Sequence, residues 1–300
     1  MDRLGAMLTF VRVVDTNSFS AAARQLNVGQ PAVSKTIAQL EERLGVKLLM
    51  RSTRGLAVTE AGQRFYESAR RSIEEADEAE RAARGEGAGL TGVLRAAAPT
   101  TFARLHIVPR MPLFLARHPE LEIDLILDDR LIELVQEGID VSLRMGDLAD
   151  SSLTARRLSA SPRVVVATPT YLARAGEPST PAELAAHAAV VSTQHRHDVW
   201  AFERSGSTIS VAVCGRLRVS SAEGIRAAVL ADMGITIASA WMFAPELTGG
   251  AVRRVLRDWS LPPIDLWAIY PTGRLASAKA RAWVDFVMAT LAAERTAAFD

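Results

Sequence analysis

Leu4, Met7, Phe10, Val11 and Val14 recur at helical spacing and predict an amphipathic first helix of about four turns. The next run, "SFSAAARQL", predicts a short Ala-rich helix capped by Ser18 or Ser20 and ending near Leu26. Asn27, Val28 and Gly29 leave room only for a tight turn. Beyond it Val33, Ile37, Leu40 and Leu44 fall at i, i+4, i+7 and i+11, one apolar stripe facing the two preceding helices. Gln30, Ser34, Lys35 and Gln39 occupy the opposite face, and Pro31 lies in the first turn, where its missing N–H costs nothing. "VKLLM" and "LAV" then read as strands around the basic turn "RSTRG", a hairpin with Arg51 and Arg54 at its tip.

Thr59 is placed to cap a helix running to about Arg84, with Glu60 in its first turn at the positive end of the dipole. Such a helix is roughly 35 to 40 Å long at 1.5 Å per residue. Phe65, Ala69, Ser72, Ala76, Ala79 and Ala83 alternate steps of four and three along it. That is the spacing of a coiled-coil seam, here of mostly small residues, and predicts dimerisation; the alternative is one amphipathic helix packed on its own chain. Next, Gly87, Gly89 and Gly92 of "GEGAGLTG" satisfy G-x-G-x-x-G, but they follow a helix and precede a strand, the reverse of a dinucleotide site, and read as a hinge.

From "VLRAAA" onward the pattern changes. "TFARLHIVPRMPLFLARH", "LEIDLIL", "RLIELVQEG", "IDVSLRM" and "RVVVAT" alternate helix-like with strand-like runs. "AEGIRAAVLADMG" and "ITIASA" repeat the step, and "LWAIYP" precedes a last helix from Ser277 to about Arg295. This order predicts an α/β domain with a largely parallel sheet.

Composition narrows the class. In 300 residues, 49% apolar and 23% charged, there is material for two globular domains. One cysteine, Cys214, excludes an internal disulfide and a cysteine-cluster metal site, and reads as a small strand residue. The first residues show no basic leader followed by an apolar run, and no stretch approaches the ~18 apolar residues of a membrane helix, so the expected location is the cytoplasm.

The net charge of +1 hides a local imbalance. Arg24 to Arg71 holds nine Lys/Arg against four acids, and Glu74 to Glu86 six acids against two arginines, whereas residues from Leu90 on balance at 22 of each sign. A basic stretch of this kind attracts phosphate, although charge alone equally describes a solvated surface. Three helices with a three-residue turn before the last make a helix-turn-helix, whose last helix fits a B-form major groove. Beside it, the arginine-tipped hairpin is placed to act as a wing against the DNA backbone or minor groove, or is an ordinary basic turn.

"SFSAAARQLNVGQPAVSKTIAQLEERLGVKLLMRSTRGLAVTEAG" resembles the N-terminal domain of the LysR-type transcriptional regulators over about 45 contiguous residues. The resemblance implies DNA contact by Gln30, Pro31, Ser34, Lys35, Arg51, Thr53 and Arg54 and dimerisation through the linker helix; no catalytic residue, metal or cofactor is expected, since no motif for one appears. Two departures stand out. Gly29 lies where the family often has serine, and Leu49 where its first wing strand often has an aromatic residue. "HPELEIDLIL" and "IDVSLRMG" likewise resemble LysR-type effector domains, which share the two-lobed architecture of periplasmic binding proteins.

The implied organisation is a winged helix-turn-helix over 1–58, a linker and dimerisation helix with hinge over 59–89, and a two-lobed α/β effector domain over 90–300. Lobe one takes 90–165 and 265–300, lobe two 166–264, with crossings near Val166 and Ile264. The implied partners are double-stranded DNA with a dyad-symmetric promoter site, a small-molecule effector, RNA polymerase, and further copies in a homodimer or homotetramer.

Effectors in such domains bind at strand ends and helix N-termini. Candidates are Thr100 and Thr101 after "AAAP", Arg144, Met145 and Gly146 in "RMGD", Thr193 after "AVVS", and Ser221 with Gly224 where "RVSS" turns into a helix. Helix capping is the competing role of the two threonines. An inward-pointing Arg144 would suit a small carboxylate, and a solvated or acid-paired arginine is the alternative. His195 and His197 lack a third ligand at a diagnostic spacing, and no nucleophile motif appears. The rival reading from another class is a solute-binding protein or small-molecule enzyme with a vestigial N-terminal domain.

Overall fold

The computed structural model describes residues 2–52, 55–84, 89–130, 132–148, 154–193, 199–271 and 276–297. The chain divides into two compact units, Met1–Gly92 with Val135–Gly138, and Val93–Leu134 with Ile139–Asp300.

In the first unit α1 (Arg3–Thr16), α2 (Phe19–Gln25) and α3 (Gln30–Leu44) precede a hairpin of β1 (Leu49–Ser52) and β2 (Gly55–Val58), after which α4 (Glu60–Arg84) begins. Ser18, not Ser20, caps α2, its Oγ accepting the N–H of Ala21. Asn27 stands in the left-handed region at φ 54°. The N–H groups of Asn27 and Val28 return to the carbonyls of Arg24 and Ala23, a Schellman-type stop that makes the turn three residues long.

Phe10, Val13, Ala22, Val33, Ile37, Leu40 and Leu48 form the core. The predicted stripe on α3 holds for Val33, Ile37 and Leu40 and fails at Leu44, which is 38% exposed. The helix outruns the core there, and Glu41 takes the buried place. Leu4 is likewise exposed on α1.

The first turns of α4 belong to the same core. Thr59 caps the helix, accepting from Gly62 N–H at 2.9 Å, and its hydroxyl donates to Lys47 O at 2.7 Å. The Phe65 ring meets Phe10 edge-on at 5.4 Å, and Ala69 has no exposed surface. Ala69 is therefore a core residue of its own chain with no surface left for a partner, while Phe65 packs on the same core and stays partly exposed. Ser72 and Ala79 are exposed and Ala76 is half-buried, while the side chain of Ala83 lies outside the described residues.

The second unit opens with β3 (Gly92–Ala98) and a continuous helical run over residues 100–117. α5 (Thr100–Phe102) leads through a π turn and a 3-10 turn into α6 (Met111–Arg117), with Pro109 and Pro112 withholding two backbone donors from a regular ladder. β4 (Leu121–Leu127), β5 (Val141–Met145) and β6 (Thr154–Ser161) follow. The predicted helix "RLIELVQEG" is a single turn over residues 134–138, ended by Gly138 at φ 63°. It lays Ile132 and Leu134 on the sheet beside Ala97 and Ile269.

β7 (Arg163–Ala167) starts a second set of sheets, so the chain changes lobe at Pro162, four residues before the expected Val166. α7 (Pro169–Ala175), β8 (Ala188–Ser192), the hairpin β9 (Val199–Arg204) and β10 (Ser207–Ala212), β11 (Cys214–Val219), α8 (Ala222–Leu230), β12 (Thr236–Ser239), α9 (Ala244–Gly249) and β13 (Arg253–Val255) complete this lobe. "RVVVA" is buried on both faces, Val165 and Ala167 in one cluster and Val164 and Val166 in another. β14 (Ile264–Tyr270) then returns to the first sheet, followed by α10 (Ala278–Ala297).

The first sheet has the order β4-β3-β5-β14-β6. β3 and β5 are parallel, while β14 runs antiparallel to both β5 and β6. In the second lobe β11 and β8 are parallel, and β7 is antiparallel to β12 and β13. The expectation of largely parallel sheets is thus corrected to mixed ones: a strand arriving from the other lobe enters from the opposite end. Trp283, Val284, Val287 and Leu291 of α10 are buried, and Phe114 of α6 meets Trp283 and Phe286 at 5.7 and 4.9 Å.

Candidate nucleic-acid interface and interlobe site

Gly29 begins α3 with extended backbone (φ −74°, ψ 143°) and supplies no side-chain cap. A Cβ there would meet Pro31 Cδ at 3.6 Å, an ordinary contact, so space does not require glycine. Its consequence is that α3 starts without a side-chain cap over its first N–H groups, the end of a helix that favours anions. Gln30, Pro31, Ala32, Lys35 and Gln39 are exposed on the outer face and Ser34 is half-buried at its edge. Of the wing, Arg51 pairs through its backbone with Leu56, and its side chain lies outside the described residues, as do Thr53 and Arg54 altogether.

Glu41 ties helix to wing. One carboxylate oxygen, Oε1, accepts the N–H groups of Leu48 and Leu49 at 2.9 and 3.1 Å, and Oε2 takes the Lys47 ammonium at 2.6 Å. Burial alone would raise this carboxyl; the Lys47 hydrogen bond and the two backbone donors outweigh it and hold Glu41 below its ordinary 4.5. In the sequence Glu41 reads as one more surface acid, and only its three donors, six to eight residues onward, give it this role.

The second unit gathers some of the expected effector residues and separates others. Thr100 N–H donates to Asp129 Oδ1 at 3.0 Å, and Ala222 N–H, at the start of α8 in the other lobe, donates to Asp129 Oδ2 at 2.9 Å. The Thr101 hydroxyl donates to Glu223 Oε2 at 2.9 Å, and Arg104 Nη2 reaches both Glu223 oxygens at 2.8 and 3.1 Å. Ser221 caps α8, accepting Gly224 N–H at 3.1 Å. A Cβ on Gly224 would come within 2.5 Å of Val219, so this glycine serves the packing of α8 on β11.

Deeper in, His106 joins Glu294 Oε2 at 2.7 Å to the Trp241 carbonyl at 2.9 Å, and the Phe102 ring packs tilted against Trp241 at 5.3 Å. Arg226, buried under Phe243 and paired with Glu246, fixes the body of α8. Thr100, Thr101, Ser221 and Gly224 therefore meet at one place on the lobe boundary.

Arg144 does not join them. It shares a strand-pair position with Trp267, and its Nη2 donates to Ile132 O at 3.0 Å. Burial lowers this guanidinium from its ordinary value, against the pull of Glu133. Met145 is half-buried at the end of β5; Gly146, at φ 103°, is held by Asp265 O and accepts from Trp267 Nε1. Thr193 is exposed, with its N–H on Val219 O. Asp129, Glu223 and Arg104 are not among the residues the sequence points to; for Asp129 alone the acids after β4, in "LILDDR", are a local signal. His195 and His197 lie outside the described residues, and among the described residues no three His, Cys, Asp or Glu stand close enough for a metal ion.

The profile of the bacterial regulatory helix-turn-helix protein, LysR family, matches residues 4–63, and that of the LysR substrate binding domain matches residues 87–292. The chain belongs to the LysR family of transcriptional regulators. This LysR-type chain is 35% identical over 293 residues to an HTH-type transcriptional regulator of Xanthomonas campestris pv. campestris, covering 96% of this chain and 85% of that one. Among solved structures it resembles CrgA, a LysR-type regulator from Neisseria meningitidis, at TM-score 0.62 and 30% identity, over 96% of this chain and 98% of CrgA. It also resembles full-length AphB, the virulence activator of Vibrio cholerae, at TM-score 0.58 and 28% identity, over 96% and 99%. LysR-type membership assigns the first unit to DNA and the second to a small-molecule effector, and sets aside the solute-binding and enzyme reading. Among the described residues no helix is long and apolar enough to cross a membrane.

Glu41 yields a prediction. Because its carboxyl is lowered in the folded LysR-type domain, its stabilisation is complete above its unfolded-state value near 4.5 and is lost as pH falls through the folded-state value. Glu41→Gln should cost about 1–3 kcal/mol at pH 7 and flatten the acid limb of stability against pH. Urea unfolding at pH 7 and pH 4 measures both, and equal stability at pH 7 would contradict the assignment.

Proposed function

We propose that the chain regulates transcription from a dyad-symmetric site, with the outer face of α3 reading base edges through Gln30, Pro31, Ser34 and Lys35. The wing residues Arg51, Thr53 and Arg54 are assigned to backbone or minor-groove contact. The observation that carries the reading is the division of α3, whose Val33, Ile37 and Leu40 are buried while Gln30, Pro31, Lys35 and Gln39 stand exposed at an uncapped helix start. Two copies join along the remaining seam of α4, Ser72, Ala76 and Ala79, as a dimer or a pair of dimers. An effector at the boundary near Thr100, Thr101 and Ser221 shifts the arrangement of the DNA-binding units and their contact with RNA polymerase in the cytoplasm.

Binding to the DNA flanking its own gene, followed by fluorescence anisotropy over a salt series, tests the DNA assignment. Affinity should exceed that for random DNA and fall steeply with salt, by roughly 10³ or more between 50 and 200 mM if at least six phosphates are contacted. Salt-independent binding, or none above random DNA, overturns it. Ala76→Glu should convert dimers to monomers in sedimentation, and a variant sedimenting like the parent removes the seam.

A further inference from the structure

Asp129 follows β4 in lobe one, and its carboxylate spans two lobes. Oδ1 takes the N–H of Thr100, where β3 turns into the helical run of lobe one, and Oδ2 takes the N–H of Ala222 in lobe two, at 3.0 and 2.9 Å. Both donors are backbone groups at helix starts, which have no partner within their own helices. Glu223 crosses the boundary the other way, from lobe two to Thr101 and Arg104 in lobe one. The two carboxylates differ in kind. Arg104 and Glu223 are nearly half exposed, so their pair is screened by solvent. Asp129 instead holds two backbone donors whose positions the fold dictates.

We propose that Asp129 is an internal ligand of the interlobe site: its carboxylate occupies the two backbone N–H groups through which a small carboxylate effector would join the lobes, so that such an effector binds only by displacing it. The proposal rests on reading the second unit as the effector domain. A tethered carboxylate competes at an effective concentration in the millimolar range or above. The apparent affinity of a free carboxylate is reduced by the fraction of molecules in which Asp129 has let go. The specificity this produces is against simple monocarboxylates and for anions that gain further contacts along the boundary. Expected Arg144 has no part in it, since its guanidinium is already held by Ile132 O.

The test uses the full chain as wild type, Asp129→Ala and Asp129→Asn, in thermal unfolding with acetate titrated against chloride at matched ionic strength. Asp129→Ala vacates the site. Acetate should then raise its melting temperature saturably, by roughly 2–4 °C, with no such rise in wild type. Asp129→Asn keeps the side-chain volume but sets an amide NH2 against one of the two donors, and should respond in the same sense even if the alanine variant fails to fold. An acetate response equal in wild type and variants, or absent from every variant that folds, overturns the proposal. Salt-dependent DNA binding of the same preparations reports separately on the regulator reading. Intact DNA binding without an acetate response removes the internal ligand alone, whereas an acetate response without DNA binding removes the regulator and leaves the latch.

Discussion

The junction of α3 with the hairpin that follows it rests on one carboxylate, that of Glu41. The carboxylate sits on the inner face of α3 and is spent on the first backbone groups of β1 and on Lys47. An ionised group so placed is costly to bury without partners and directional with them, so it specifies where the strand starts rather than merely favouring contact. The Thr59 hydroxyl continues the same line, joining the start of α4 to Lys47 O. Helix, wing and linker helix thereby share one junction, around residues 47–49. That junction leaves Gln30, Pro31 and Lys35, at the start of α3, exposed beside the buried Val33.

In the second unit the equivalent constraint is topological. The chain leaves the first sheet at Pro162 and re-enters as β14, between β5 and β6. Two lobes connected by two strands move relative to each other only as far as their boundary contacts permit. Among the described residues those contacts include the polar groups of Asp129, Glu223 and His106, the buried hydroxyl pair of Ser161 and Ser239, and the Phe102 and Trp241 rings. A ligand shifts such a boundary only as far as its affinities for the two arrangements differ.

What the sequence disclosed depended on how local its cause was. The helices of the first unit, the three-residue turn and the cap at Thr59 follow from periodicity and capping within a few residues, and all are legible. Leu44 and Glu41 exchange expected places because burial there is decided by β1, several residues onward. "RLIELVQEG" has helical apolar spacing, yet Ile132 and Leu134 are wanted on the sheet beside Ala97 and Ile269, and Gly138 ends the turn. Thr100, Thr101 and Ser221 were readable as residues at strand ends. Asp129 and Glu223, which join them, were not, because their partners lie 29 to 122 positions away in the chain. Ala69 fits a heptad and a core equally well in sequence, and its complete burial in its own chain decides between them.

The central claim is that the outer face of α3 reads bases while its inner face serves the fold. Selection of preferred sites from a random DNA pool, by the wild-type chain and by Ser34→Ala and Lys35→Ala, measures it most directly. The account predicts a dyad-symmetric consensus for the wild type, and for at least one variant a loss of about 1–3 kcal/mol of discrimination at matching positions in both half-sites, with the spacing unchanged. Identical base preferences in all three proteins, at undiminished affinity, would contradict it.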